Sequence, residues 1–102
     1  MSAFLEFVQD QLAGLDGVTV RPMFGGHGLY LRGSFFAIVY DDRLYLRTDD
    51  ASRDRFTAVG MGPFTPPKGP TIGSYYEVPA EVLDDREALA EWAEEAAATH
   101  GA

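Results

Sequence analysis

Apolar residues recur at two different periods along this chain, and the switches between them mark out its elements. Phe4, Leu5, Val8, Leu12 and Leu15 fall near helical spacing, with Glu6, Gln9 and Asp10 outside the stripe. That spacing predicts a first helix capped by Ser2 and stopped by Gly14 and Gly17. Val18 to Phe24 then reads as a strand, with Pro22 marking an edge position or a bulge because proline has no N–H to give a ladder. Gly25-Gly26-His27-Gly28 forms a corner, and the chain re-emerges over Leu29 to Arg32, Phe35 to Tyr40 and Arg43 to Arg47. The connections Gly33-Ser34 and Asp41-Asp42 are each two residues long, which predicts a three-strand meander.

Beyond the meander, Asp49 or Asp50 caps a second helix that runs through Phe56 and Val59 to a stop at Gly60. Met61 to Gly73 holds four prolines and three glycines and reads as a long loop without regular structure. Ser74 to Val78 adds a further strand, which Pro79 ends. Asp84 with Glu87 forms a capping box for a last helix whose buried stripe is Leu89, Trp92, Ala93 and Ala96. Glu91, Glu94 and Glu95 form its wet face, and it frays near His100 and Gly101. The expectation is therefore a single α+β domain over residues 1–102: an antiparallel sheet, made of a meander plus outer strands, with an N-terminal, a central and a C-terminal helix.

If both hairpin turns hold two residues, Arg32 lies opposite Phe35 and Tyr40 opposite Arg43, and opposed residues share a face. One face then carries Tyr30, Arg32, Phe35, Ala37, Val39, Leu44 and Leu46. The other carries Leu29, Leu31, Phe36, Ile38, Tyr40, Arg43, Tyr45 and Arg47. Neither is polar, so the sheet needs cover on both sides. The first and last helices supply it for one face, while the second helix and the long loop offer less for the other. The expectation is that Leu29, Leu31, Phe36 and Ile38 are buried against a second copy in a two-fold dimer, rimmed by Tyr40, Arg43, Tyr45 and Arg47. The competing reading divides the helices between the faces and buries everything within one chain.

Composition narrows the chemistry. The chain has no cysteine, which excludes disulfides, thiol nucleophiles and cysteine-ligated metals and suits a reducing cytoplasm. No apolar run approaches a membrane span, and the start lacks a basic leader, so a soluble, unprocessed protein is expected. The net charge of −8 sits on the terminal helices, since residues 17–80 sum to +1. An acidic helical exterior repels phosphates, so no direct nucleic-acid binding is expected; a basic set of Arg32, Arg43 and Arg47 is the alternative.

Candidate reactive groups are few. The glycine run invites a phosphate-loop reading, yet such loops lead from strand to helix and this one leads from strand to strand, so a corner with positive φ angles is favoured. His27 has no visible catalytic partner, and with His100 it makes no metal-ligand spacing, so neither a metal nor a cofactor is expected. No serine sits in a nucleophile elbow. Arg21 suits either an anion contact or a salt bridge to a terminal helix. An enzyme or small-ligand protein would need a pocket between the glycine corner and the proline loop, lined by Arg21, His27, Lys68 and Tyr75.

The order Arg21-Pro22-Met23-Phe24-Gly25-Gly26-His27-Gly28-Leu29-Tyr30-Leu31, Phe35 to Tyr40, Leu44-Tyr45-Leu46, Phe56, Ser74-Tyr75-Tyr76-Glu77-Val78-Pro79, then Leu89, Trp92 and Ala93, resembles the TfoX N-terminal domain, also called Sxy. The likeness runs roughly from Phe4 to Ala97. Matching positions are Arg21, Met23, Phe24, Gly25, Gly26, Gly28, Tyr45, Phe56, Phe64, Tyr75, Tyr76, Pro79, Leu89 and Trp92. The resemblance implies a secretion-chaperone-like α+β fold of a kind that commonly dimerises, and it supplies no catalytic residues. Family members that regulate competence act as transcriptional co-activators with the cyclic-AMP receptor protein and carry a second, helical domain, which is not expected here, so competence regulation is not expected either. What carries over is a non-enzymatic regulatory role through protein contacts, with a transcription factor or RNA polymerase-associated regulator as partner.

Overall fold

The structure is a computed structural model that describes residues 3–23 and 25–99. The expected cap Ser2, the strand end Phe24 and the fraying residues His100 and Gly101 lie outside the described residues. The elements run α1 (Ala3–Gln11), β1 (Val18–Met23), β2 (Gly26–Leu31), β3 (Ser34–Tyr40), β4 (Arg43–Arg47), α2 (Asp50–Ala58), β5 (Pro63–Phe64), β6 (Ile72–Glu77), α3 (Ala80–Leu83) and α4 (Arg86–Ala98). The strands form one antiparallel sheet in the order β1-β2-β3-β4-β6-β5. The α+β class, the meander with outer strands and the three main helices are as the sequence predicts.

Four local expectations are corrected. The loop Met61 to Gly73 is not structureless: Phe64 pairs with Ile72, and the Thr65 and Thr71 hydroxyls meet at 3.1 Å. This makes it a hairpin with a proline-rich tip. The cap of α4 is Asp85, which accepts from the Glu87 and Ala88 N–H groups, while Asp84 closes the short α3. Helix α2 is capped by Asp49 in a reciprocal box with Ser52, whose N–H donates to the Asp49 carboxylate and draws its pKa down.

The third correction concerns the corner. β2 begins at Gly26, so Gly26 and Gly28 are strand residues and only Gly25 has a positive φ, +80°. Their role is close approach. A Cβ on Gly26 would lie 2.3 Å from the Val39 carbonyl oxygen, and one on Gly28 would lie 2.7 Å from the Met23 sulfur and 3.0 Å from the Phe35 ring.

The fourth sets the faces. The turn between β2 and β3 is Arg32-Gly33, not Gly33-Ser34, with φ +49° and +85° and Leu31 opposite Ser34. A primed turn needs two left-handed residues, and Arg32 is held there by its own side chain. Its guanidinium donates to the Asp16 carbonyl at 2.9 Å and pairs with Glu94 at 2.9 Å. Moving a two-residue turn by one position shifts the pairing by two residues and leaves the faces unchanged. A bulge changes them: Tyr30 faces Phe35 and Leu29 faces Ala37, leaving Phe36 as the extra residue, so β3 from Ala37 onward changes sides relative to β2. Leu29, Leu31 and Phe36 therefore join Ala37, Val39, Leu44 and Leu46 in the main core, and Tyr30 and Phe35 turn to the opposite side.

All the main helices lie over that one face. Leu5, Val8 and Leu12 from α1, Phe56 from α2, and Leu89, Ala93 and Ala96 from α4 complete the core. The second helix was expected to serve the other face. It cannot, because Phe56 is its only buried side chain, and that ring packs edge-on against Trp92 at 4.9 Å. Arg55 sits 3.9 Å over the same indole and pairs with Glu95, pinning α2 to α4. Gln11 joins α1 to the C-terminal helices, donating to the Leu83 carbonyl at 3.0 Å and accepting from Arg86 at 3.1 Å.

Candidate interaction face

The side of the sheet away from the helices is built from aromatic rings. Alternation along β2, β3, β4 and β6 sends Tyr30, Phe35, Ile38, Tyr40, Tyr45 and Tyr75 to it, and the β5–β6 hairpin adds Phe64 and Ile72. Ile38, Tyr45, Phe64 and Tyr75 are buried and form a floor; Tyr30, Phe35, Tyr40 and Ile72 stand half-exposed around it. Tyr30 meets Phe35 with ring centroids 5.1 Å apart, and Phe35 meets Tyr75 at 5.3 Å. Phe64 packs edge-on against Tyr45 at 4.9 Å and Tyr40 at 5.8 Å. Gly28 has no side chain, and this is what lets Met23 and Phe35 lie across β2.

Charge borders the rings. Arg21 on β1 lies 5.3 Å from the Tyr30 centroid, and it forms no ion pair among the described residues. The expected bridge to a terminal helix is not formed among the described residues. Arg43 pairs loosely with Glu77 at 3.8 Å. A hydrogen bond with Tyr45 and the Glu77 charge raise the Arg43 pKa. Burial raises the pKa of Tyr45 and of Tyr75, the latter opposed by Arg47. Both phenols stay neutral well past ordinary pH.

Of the eight residues expected to form an interface, the structure divides the set. Leu29, Leu31 and Phe36 are at most 2% exposed beneath the helices, and Ile38, also 2% exposed, lies in the floor under the rings. Their own chain seals all four, so the expectation of one open apolar patch is corrected: the helices cover Leu29, Leu31 and Phe36, and the bulge sends Ile38 to the other side. Tyr40 and Arg43 remain on the margin and Tyr45 is in the floor. Arg47 lies opposite Tyr75 at the end of the floor but is committed within the chain. Its guanidinium closes the end of α4, donating to the carbonyls of Ala97 at 3.2 Å and Thr99 at 2.7 Å and to the Thr99 and Ser34 hydroxyls at 2.9 and 3.1 Å. A cation at a helix C-terminus takes up orphan carbonyls and opposes the dipole.

The pocket residues do not converge. The proline-rich tip encloses an open cavity of about 530 Å³ lined by Pro66, Pro67, Lys68, Gly69, Pro70 and Ile72. Of Arg21, His27, Lys68 and Tyr75, only Lys68 reaches it. His27 sits half-buried within β2, opposite Pro22 and Val39. Among the described residues no three His, Asp or Glu side chains gather as metal ligands, and no helix is long and apolar enough to cross a membrane. Arg32, Arg43 and Arg47 are likewise dispersed, each with its own intramolecular partner.

The residues missed by sequence reasoning are Tyr30, Phe35 and Ile72. Phe64 and Ile72 pair across a hairpin that the prolines between them conceal, and Tyr30 and Phe35 could be placed only with the bulge in hand.

Most of the motif positions serve the first hairpin and the aromatic side: Gly25 turns the chain, Gly26 admits Val39, Gly28 admits Met23 and Phe35, Arg21 covers Tyr30, and Tyr75 joins the floor. Tyr76 points the other way and meets Phe56 at 6.2 Å. No curated protein matches the chain at a significant level. The family model described as TfoX N-terminal domain matches residues 10–99, nearly the whole sequence, and on that match the chain belongs to the TfoX N-terminal domain family.

Proposed function

We propose that this chain is a non-enzymatic regulatory domain of the TfoX type, working in the cytoplasm through protein contacts. Its partner is a transcription factor or an RNA polymerase-associated regulator. The observation that supports this reading is the helix-free aromatic side of the sheet, where half-exposed Tyr30, Phe35, Tyr40 and Ile72 surround a buried floor. Tyrosine and phenylalanine bring large area at little entropic cost, and Arg21 and Arg43 at the margin add directional donors, the residue types that dominate interface energetics. The main core lies on the other side, so a partner can occupy the rings without disturbing it.

The test is affinity capture from the native cell with three baits: wild type, Tyr40→Asp, and Glu91→Lys on the wet face of α4. A transcription-associated protein is expected with wild type and Glu91→Lys and is lost with Tyr40→Asp while circular dichroism stays unchanged. An identical set from all three refutes the reading.

A second reading rests on the cavity at the hairpin tip, whose volume falls within the range of small-molecule sites. Its lining suits an apolar ligand with an anionic group near Lys68. Chemical-shift changes confined to Pro66–Ile72 on adding medium-chain fatty acids, and lost in Lys68→Ala, would favour it over protein recognition.

A further inference from the structure

The two margins of the sheet differ. At one, β5 is two residues long and begins with proline; at the other, β1 offers six residues, Val18–Met23, paired on one side only. Parity identifies which of its backbone groups are free. The Arg32 N–H donates to the Gly17 carbonyl at 2.9 Å, and Val18 lies opposite Leu31. Gly17, Thr19, Arg21 and Met23 therefore turn their backbone groups toward β2, while Val18, Val20 and Pro22 turn theirs outward. Pro22 stands where a missing N–H costs no bond within the chain.

The geometry points to β1 as a strand-addition edge whose occupant is a second copy of this chain, paired antiparallel about a two-fold axis. One register asks Pro22 for no N–H within the paired strands, because Pro22 falls opposite the partner's Asp16, before β1 begins: Val18 lies opposite the partner's Val20, and Thr19 lies on the axis beside the partner's Thr19. In it the outward N–H and carbonyl groups of Val18 and Val20 all find partners. The half-buried side chains of Val18 and Val20, which flank the main core, meet their counterparts across the seam.

Charge supports the same register. Arg21 falls opposite the partner's Gly17, next to the partner's Asp16. Arg21 is exposed, with the Tyr30 ring as its contact, and Asp16 is exposed and uses its carbonyl toward Arg32, which leaves its carboxylate open. Symmetry brings this opposite-charge pair together twice, which favours self-recognition over an arbitrary strand. A strand pair of this length buries less than the roughly 1,200 Å² of a standard interface, so the association is reversible and concentration-dependent. It shares Arg21 with the margin of the aromatic face but none of the rings, and because its readout is the mass of the chain alone, it stands or falls separately from the proposed function.

Sedimentation equilibrium from micromolar to millimolar chain tests it. Wild type is expected to rise from 11.2 kDa toward twice that mass. Val20→Pro removes an outward N–H that the monomer does not use, so it should stay at the monomer mass with an unchanged dichroism spectrum. Should that variant unfold, charge reversal supplies the test: Arg21→Asp abolishes the dimer, and adding Asp16→Arg restores it. Wild type that remains a monomer throughout, a dimer indifferent to both changes, or a monomer that takes up an unrelated extended peptide at β1 overturns the proposal.

Discussion

Adjacent phenylalanines on β3 should respond very differently to truncation, and the difference reports the register. Phe36 is the extra residue of the bulge, fully buried among α1, α4 and the sheet. Cutting it to alanine loses the transfer energy of a buried ring and leaves a cavity, about 3–5 kcal/mol. Phe35 is half-exposed, its ring meeting Tyr30 and Tyr75. Its removal costs part of a ring's burial and two aromatic contacts, about 1–3 kcal/mol. At roughly 4–8 °C per kcal/mol for a domain of this size, Phe36→Ala should melt far below wild type and Phe35→Ala only moderately below it. Urea denaturation gives the free energies, with an unchanged m-value showing that the unfolded ensemble is comparable. The even alternation read from the sequence, without a bulge, places Phe35 rather than Phe36 on the helix side. If Phe35→Ala proves the costlier change, the bulge and the assignment of both faces are wrong.

Gly26→Ala should destabilise by more than Gly28→Ala, since the first collides with a backbone carbonyl and the second with the ends of Met23 and Phe35, which can shift; overpacking costs about 1–3 kcal/mol. Thermal melts of the two variants check the order. Arg47→Ala should cost about 1–3 kcal/mol and speed amide exchange in the last turn of α4, and Arg47→Lys should restore only part, because one ammonium cannot serve the same set of acceptors. Stability should fall as pH rises above about 10, where tyrosine in the unfolded chain begins to ionise. Tyr45 and Tyr75 have folded pKa values raised by burial, so the native state holds those protons longer and the loss continues through the folded values. Absorbance titration should show two of the five tyrosines ionising late.

Element order was legible because it depends on local signals. The spacing of Leu5, Val8 and Leu12, the Asp41-Asp42 turn, and the stops at Gly60 and Pro79 act within a few residues and survive into the fold. Face assignment depends on parity, and parity is fragile. The turn Arg32-Gly33 in place of Gly33-Ser34 shifts the register by two and keeps parity, and choosing it required knowing that the Arg32 guanidinium would be held by Asp16 and Glu94, contacts 16 and 62 residues distant along the chain. The bulge had no sequence mark either, since Phe35, Phe36 and Ala37 are all acceptable on an apolar surface. Tyr40 and Arg43 keep the expected pairing because they sit beside the unambiguous turn, but the bulge parts them from Leu29, Leu31 and Phe36. Arg47 shares their alternation, but the end of α4, distant in sequence, claims it.

Stacking every helix on one side has a consequence for how this domain can change over time. The layer that keeps it folded and the layer that meets the outside world share a sheet but scarcely share side chains, because alternate residues of the same strands serve opposite masters. A substitution at Tyr30, Tyr40 or Ile72 can therefore alter what the protein recognises at small cost to its folding. Descendants of one scaffold can acquire new acquaintances by repainting a single wall.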